Sequence, residues 1–197
     1  MVVVCLLLYS FALHYLVLGI PGIPYQGLYK GFSEHHFWRQ ATTGIEQIVE
    51  DTRQRTGQEP LVVGMSKWSI ASVLTFYNRG KPMEIRSRNM FGDSGAMYEF
   101  WYPSEPPAVR PIILVGMWRD NLECTRQGVQ IDSMLINPEP IQELAIVEEG
   151  KPLRGVYYQI AHGYRGKQYQ RTSTKCSGGE PKKAGNTSYL DPTGPSA

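Results

Sequence analysis

Apolar residues run without a charged side chain from Val2 to Ile20 at the N-terminus. About 20 such residues cross a bilayer as a helix, so the pattern predicts a transmembrane helix over residues 1–24. A cleavable signal peptide is disfavoured, because no Lys or Arg precedes the apolar stretch and no small-residue cleavage site follows it. A buried core helix is the alternative, but a chain of 197 residues offers little interior to hide it.

The next periodic pattern predicts an amphipathic helix over residues 33–55, with Ser33 placed to cap it and Gly57 to end it. Apolar residues recur there at spacings of three and four, at Phe37, Ala41, Ile45, Ile48 and Val49. A single stripe of this kind faces a core, so a folded domain should begin near residue 25.

Short apolar runs then alternate with helical patterns. Strands are predicted over residues 61–65, 83–86 and 112–117, and a helix over residues 69–78 whose apolar face is Ile70, Val73, Leu74 and Tyr77. The third strand lacks polar alternation, which is typical of burial on both faces. Buried strands alternating with helices indicate an α/β fold with a mixed, mostly parallel sheet and flanking helices.

Two further runs, residues 141–150 and 151–164, predict an antiparallel hairpin at the edge of that sheet, with a turn around Gly150 and Pro152. Residues 25–164 are thus expected to form one α/β domain. Residues 165–197 are rich in Gly, Lys, Ser, Thr and Pro without hydrophobic periodicity, which predicts a disordered tail.

The tripeptide Val-Gly-Met closes two of the predicted strands, at residues 63–65 and 115–117, and each copy is followed closely by Trp and a basic residue. Parallel strands place their carboxyl ends side by side, and ligands of open α/β sheets bind at that edge. The alternative is that Val-Gly-Met only ends a strand and starts a turn.

Most sequence motifs of known binding and catalytic sites are absent from this chain. Gly64 is the only glycine in the loop after the first strand, so neither a dinucleotide fingerprint nor a phosphate loop is present, and no G-x-S-x-G occurs. His35 and His36 are adjacent and would diverge on a helix, which disfavours a metal site. The net charge of +2, without a basic stripe, argues against a nucleic-acid partner.

Three carboxylates, Asp93, Glu99 and Asp120, are candidates for acid–base chemistry, although surface or capping roles suit each of them better. The chain has three cysteines, Cys5, Cys124 and Cys176. A Cys124–Cys176 bridge would need an oxidising compartment, and three unpaired thiols is the simpler interpretation because the tail looks mobile.

Aromatic residues cluster in residues 97–103, MYEFWYP, and Trp68 and Trp118 follow the two Val-Gly-Met copies. Such rings stack on sugar faces or contact lipid, but they also pack in ordinary cores. We therefore take Tyr98, Trp101, Trp68 and Trp118 as candidate substrate-binding residues.

The motifs in this order resemble the region after the last membrane helix in polytopic glycosyltransferases, the family of dolichyl-phosphate-mannose protein mannosyltransferases and bacterial lipid A aminoarabinose transferases. The segments are PLVVGMSKWSIASVLTFYNRGKPMEI, MFGDSGAMYEFWYP, PIILVGM and IQELAIVEEGKPLRGVYYQIAHGY, within residues 1–164. The matching residues are Ala71, Ser72, Leu74, Phe76, Tyr77, Tyr98 and Trp101.

The resemblance implies transfer of a sugar from a polyprenyl-phosphate donor to a lipid, protein or glycan acceptor, at a bacterial inner membrane with this domain in the periplasm. Members of the family carry many N-terminal membrane helices and a catalytic acidic loop, compatible with a divalent metal. The present sequence has no match to those membrane helices or to the acidic loop, so the resemblance assigns it no catalytic residue. This chain is therefore expected to be inactive alone and to have no cofactor of its own.

As part of such an enzyme, the domain would cover the membrane-embedded cavity, with the missing membrane helices, the lipid bilayer and the polyprenyl-phosphate-linked sugar as its partners. Lys67, Arg88 and Arg119 would meet phosphate there, or they are simply solvated charges. A self-contained, membrane-anchored α/β module that binds glycan or lipid is the alternative. A third hypothesis, a soluble nucleotide-binding enzyme, is disfavoured because the glycine-rich loop is absent.

Overall fold

The computed structural model of the protein describes residues 2–18, 30–78, 83–102, 108–148, 151–166 and 176. Five α-helices and six strands lie in this part of the chain, together with short 3-10 helices at Arg88–Phe91 and Ile131–Met134. The helices are α1 Val2–Leu18, α2 Lys30–Thr56, α3 Ser69–Tyr77, α4 Tyr98–Trp101 and α5 Asp120–Glu123. The strands are β1 Leu61–Gly64, β2 Glu84–Ser87, β3 Ile112–Gly116, β4 Leu135–Pro138, β5 Gln142–Glu148 and β6 Lys151–Tyr164.

The strands form one mixed sheet in the order β2-β1-β3-β6-β4, and β5 pairs with β6 beside β4. The β2-β1 and β1-β3 pairs are parallel, whereas β6 runs antiparallel to β3, β4 and β5. The α/β class with a mixed sheet is confirmed, but the sheet is not mostly parallel. The predicted hairpin of β5 and β6 is also present, yet β6 lies inside the sheet instead of at its edge, because its 14 residues are long enough to pair on both sides.

One face of the sheet is covered by α2 and α3. The stripe predicted for α2 is buried as expected at Phe37, Ala41, Ile45 and Val49, and it packs on sheet residues such as Val62 and Ile113. The helix starts at Lys30, ahead of the predicted Ser33. It ends as predicted at Gly57, whose φ of 69° is the left-handed conformation that glycine adopts without strain.

The other face of the sheet is covered by short helices and loops. Leu61, Val63 and Leu114 pack there against residues of the 3-10 helices and of α5, including Met90, Leu122 and Met134. Tyr164 at the end of β6 closes this second core, since its hydroxyl donates a hydrogen bond of 2.6 Å to the carbonyl of Met90. Both faces of β1 and β3 are therefore buried, as the uniformly apolar sequence of β3 predicted.

The apolar N-terminal run forms α1, and its side chains from Val2 to Phe11 are exposed. Within the described residues, no helix has both the length and the apolarity needed to cross a bilayer. The predicted span of residues 1–24 extends beyond the described helix, and it stays a prediction.

The cysteines correct the expectation of three unpaired thiols, because Cys124 and Cys176 form a disulfide and Cys5 is free and exposed. The backbone N–H of Cys176 also donates a hydrogen bond of 2.8 Å to the carbonyl of Gly128. Arg165, the first residue of the predicted tail, donates from its backbone to Met134 and from its side chain to Leu135. The remaining tail, residues 167–175 and 177–197, lies outside the described residues.

Candidate functional site

The carboxyl ends of three parallel strands meet at one edge of the sheet. Gly64 of β1 pairs with Ser87 of β2 on one side and with Val115 of β3 on the other. The pairing continues one step further, since the backbone N–H of Met65 donates a hydrogen bond of 2.7 Å to Val115. The predicted proximity of the two Val-Gly-Met segments is therefore confirmed, with a one-residue offset between them.

The glycine in each Val-Gly-Met segment allows the chain to turn tightly at this edge. A Cβ on Gly64 would lie 2.5 Å from the backbone nitrogen of Ala71 in α3, and a Cβ on Gly116 would lie 2.4 Å from the side chain of Leu122 in α5. In both cases the helix that follows the strand folds directly back against it. The repeat thus has a structural cause. The Met that follows each glycine is buried, and the chain reaches solvent only at Lys67–Trp68 and at Trp118–Arg119.

A tryptophan next to a basic residue is exposed after each of these two strands. Lys67 and Trp68 follow β1, and Trp118 and Arg119 follow β3. The indoles are 53% and 68% exposed, so neither is part of the core. Arg119 forms an ion pair of 3.0 Å with Glu123 one turn along α5, where both side chains remain largely in solvent.

The one-turn helix α4 follows β2 in the chain, and α4 with the residue before it adds three more apolar side chains to this edge. Met97, Phe100 and Trp101 are each more than half exposed. The opposite side of the turn is anchored, since Tyr98 is buried and its hydroxyl lies 3.4 Å from that of Ser72 near the start of α3. We call this surface the aromatic rim; it consists of Lys67, Trp68, Met97, Phe100, Trp101, Trp118 and Arg119.

Two predicted site residues, Arg88 and Tyr98, do not belong to the rim. Arg88 is buried, its Nε lies 2.5 Å from Oδ2 of Asp93, and its guanidinium donates to the carbonyl of Cys124. Burial lowers the pKa of Arg88, and the carboxylate of Asp93 partly offsets that effect. A guanidinium held in this way links two loops and cannot reach a phosphate in solvent. Tyr98 turns inward because its side of α4 packs on the core.

The three candidate carboxylates do not form a catalytic pair. Asp93 is bound to Arg88, Oε1 of Glu99 accepts a hydrogen bond of 2.8 Å from the N–H of Gly95, and Asp120 lies in the first turn of α5. Among the described residues, no group of His, Cys, Asp and Glu is arranged to hold a metal ion. The rim therefore offers flat rings and two cations for binding.

Met97 and Phe100 were not among the predicted site residues. The sequence carried a signal for them, because residues 97, 100 and 101 have the spacing of one helical face while Tyr98 and Tyr102 share the other. The sequence pattern predicts no helix over residues 97–103, so by itself it does not divide these side chains into faces.

An open groove of about 610 Å³ lies along the C-terminal half of α2 and is bordered by Arg55, Glu139, Gln142 and Tyr158. Its polar groups already bind one another, with 3.2 Å between Arg55 and Glu139 and 2.7 Å between the Tyr158 hydroxyl and Gln142. Burial, with the nearby Glu139 carboxylate, raises the pKa of Tyr158, so the phenol stays neutral. This groove is a weaker candidate than the rim.

Comparison of the chain with protein-family models, with curated proteins and with solved structures found no match. The geometry of the rim is therefore the structural observation that bears on function.

Proposed function

We propose that this chain is the extracytoplasmic domain of a membrane glycosyltransferase that uses a polyprenyl-phosphate-linked sugar, and that its aromatic rim contacts the donor. The observation that carries the proposal is the pair of exposed Trp–base neighbours, Lys67–Trp68 and Trp118–Arg119, after two adjacent parallel strands. The order of the sequence motifs favours the same family.

The rim has the chemistry that such a donor requires. Indole faces pack against the apolar faces of sugar rings, and a cation beside each ring compensates the charge of a phosphate. Neither Lys67 nor Trp68 is buried, and the Arg119–Glu123 pair is exposed, so a phosphate can compete for Arg119 at little cost.

Two further features support attachment to a membrane outside the cytosol. Helix α1 exposes apolar side chains along Val2–Phe11, and we propose that it belongs to the transmembrane helix of residues 1–24. The Cys124–Cys176 disulfide is typical of an oxidising compartment such as the bacterial periplasm. The divalent metal and the acidic residue of the chemical step would belong to the catalytic loop of the family, for which this sequence has no counterpart.

Binding of a polyprenyl-phosphate monosaccharide to the full chain in detergent micelles tests the proposal. We expect the Trp68→Ala/Trp118→Ala variant to raise the Kd at least about tenfold, equivalent to about 1.4 kcal/mol, and Lys67→Ala/Arg119→Ala to weaken binding in a salt-dependent way. Phe76→Ala is the matched control, because Phe76 is 74% exposed in α3 but is not part of the rim.

Unaltered affinity in both rim variants, or no binding at all, would refute the proposal. Equal binding of a glycan without phosphate would favour the alternative, a self-contained membrane-anchored binding module. The purified chain is expected to show no sugar transfer, because it has no counterpart of the catalytic acidic loop, and turnover by the chain alone would contradict that expectation.

A further inference from the structure

The part of the rim around α4 has an arrangement of side chains that donor binding does not require. Phe100 and Trp101, together with Met97 just before the helix, are exposed at helical spacing, and Phe100 is 77% exposed. We propose that these three side chains form a membrane wedge, which inserts into the interfacial layer of a zwitterionic phospholipid bilayer. The inference rests on the membrane attachment proposed above and names the surface that meets the lipid.

The wedge is held rigidly from its inner side. The ring of Tyr98 lies 5.1 Å from that of Trp101 and stacks with that of Tyr102 at 6.5 Å. The guanidinium of Arg86 lies 4.9 Å above the Tyr102 ring, and Arg86 in turn binds Glu84. Tyr98 and Tyr102 thus occupy the inner side of the turn, and Met97, Phe100 and Trp101 remain exposed.

The composition of the wedge favours lipid over protein as its partner. Trp is a residue of membrane interfaces, where an indole places its N–H among the headgroups and its rings among the acyl chains, and Phe is common on the apolar face of interfacial helices. A stable protein interface takes about 20–30 residues from each partner, whereas the wedge has three. The exposed apolar side chains of α1 supply a second lipid-seeking element in the same chain.

Charge then selects the kind of lipid. Glu99 is the only charged residue in the α4 turn, and its Oε1 accepts the hydrogen bond from Gly95. The wedge itself carries no cation, so we expect its insertion into phosphatidylcholine to be insensitive to salt. Lys67 and Arg119 lie elsewhere on the rim, so added phosphatidylglycerol should strengthen vesicle binding through them, in a salt-dependent way that Lys67→Ala/Arg119→Ala removes.

Quenching of tryptophan fluorescence by brominated phosphatidylcholine vesicles tests the inference on the full chain. One variant keeps only Trp101, through Trp38→Phe, Trp68→Phe and Trp118→Phe. Its comparator keeps only Trp38, which is half-buried in α2. We expect the brominated lipid to quench Trp101 at least about twofold more strongly than Trp38.

A second comparison uses the chain with all four tryptophans, in case the triple substitutions impair folding. We expect Phe100→Ser/Met97→Ser to reduce the lipid quenching by about half, and Phe76→Ser, which removes an equally exposed ring outside the wedge, to leave it unaltered. If the protein floats with vesicles but Trp101 is quenched no more than Trp38, or if the double variant behaves like Phe76→Ser, the wedge is refuted while membrane attachment stands. Failure to float at all would refute both.

Discussion

The guanidinium of Arg88 and the carboxylate of Asp93 form a buried ion pair, with 2.5 Å between Nε and Oδ2. The pair joins two loops behind the rim, since Arg88 also binds the carbonyl of Cys124 and Asp93 accepts the backbone N–H of Arg126. Both residues are thus part of the frame that positions the carboxyl edge.

We therefore predict that Asp93→Asn lowers the free energy of unfolding by about 3–5 kcal/mol, because it leaves a buried guanidinium without its counter-charge. The double substitution Arg88→Met/Asp93→Leu should cost clearly less than the sum of the two single substitutions. Urea denaturation measures each value. Arg119→Met, which breaks an exposed pair, is the control and should stay within about 1 kcal/mol of the native chain; an equally small effect of Asp93→Asn would contradict the prediction.

The disulfide between Cys124 and Cys176 spans 52 residues and ties the C-terminal segment to the loop after α5. We predict that Cys176→Ser lowers stability by about 2–4 kcal/mol, mainly because the unfolded chain gains conformational freedom. Thiol titration of the denatured, unreduced protein should find one free cysteine, Cys5, and three after reduction. Cys5→Ser, as the matched substitution, should leave the melting temperature unaltered. Three free thiols in the unreduced protein would disprove the pairing.

The two glycines of the Val-Gly-Met segments differ in what surrounds them. A Cβ on Gly64 meets backbone of α3, whereas a Cβ on Gly116 first meets a terminal methyl of Leu122, which can rotate away. We predict that Gly64→Ala costs about 1–3 kcal/mol and that Gly116→Ala costs less. Thermal melts measure the loss of stability in each variant. If Gly116→Ala lost as much stability as Gly64→Ala, or more, α3 would move aside more readily than Leu122.

Glu84 lies between Arg86 and Arg110 at the start of β2. Burial alone raises the pKa of this carboxyl, but hydrogen bonds from Arg110 and Arg86 outweigh it, so the pKa lies below its ordinary value of 4.5. The carboxylate therefore stabilises the fold above pH 4.5, and this contribution is lost as the pH falls through the lowered folded pKa.

We predict that Glu84→Gln lowers stability by about 1–2 kcal/mol at pH 7 and that the difference from the native chain shrinks in acid. Urea denaturation at pH 7 and at several values below pH 4.5 measures the trend. Glu143→Gln, on the exposed side of β5, is the control for a general effect of charge. A difference that stays constant with pH would show that the two arginines do not hold the Glu84 carboxylate.

Hydrophobic periodicity alone predicted the elements of the fold that are long or fully buried. The stripe of α2 and the apolar runs of β1 and β3 appear within a few residues of their predicted bounds, because a helix face or a two-sided strand leaves its mark in consecutive residues. The position of β6 within the sheet could not be predicted from hydrophobic periodicity. A strand that pairs with β3 on one side and with β4 and β5 on the other looks locally like half of a simple hairpin.

The same division holds for the site. The sequence by itself placed Trp68 and Trp118 at neighbouring strand ends, since parallel strands in one sheet bring their carboxyl ends together. Only the tertiary structure decided that Arg88 is internal, that Tyr98 is buried while Trp101 beside it is exposed, and that Cys124 meets Cys176. Each of these depends on contacts between segments far apart in the chain, and burial and pairing of that kind leave no trace in local sequence.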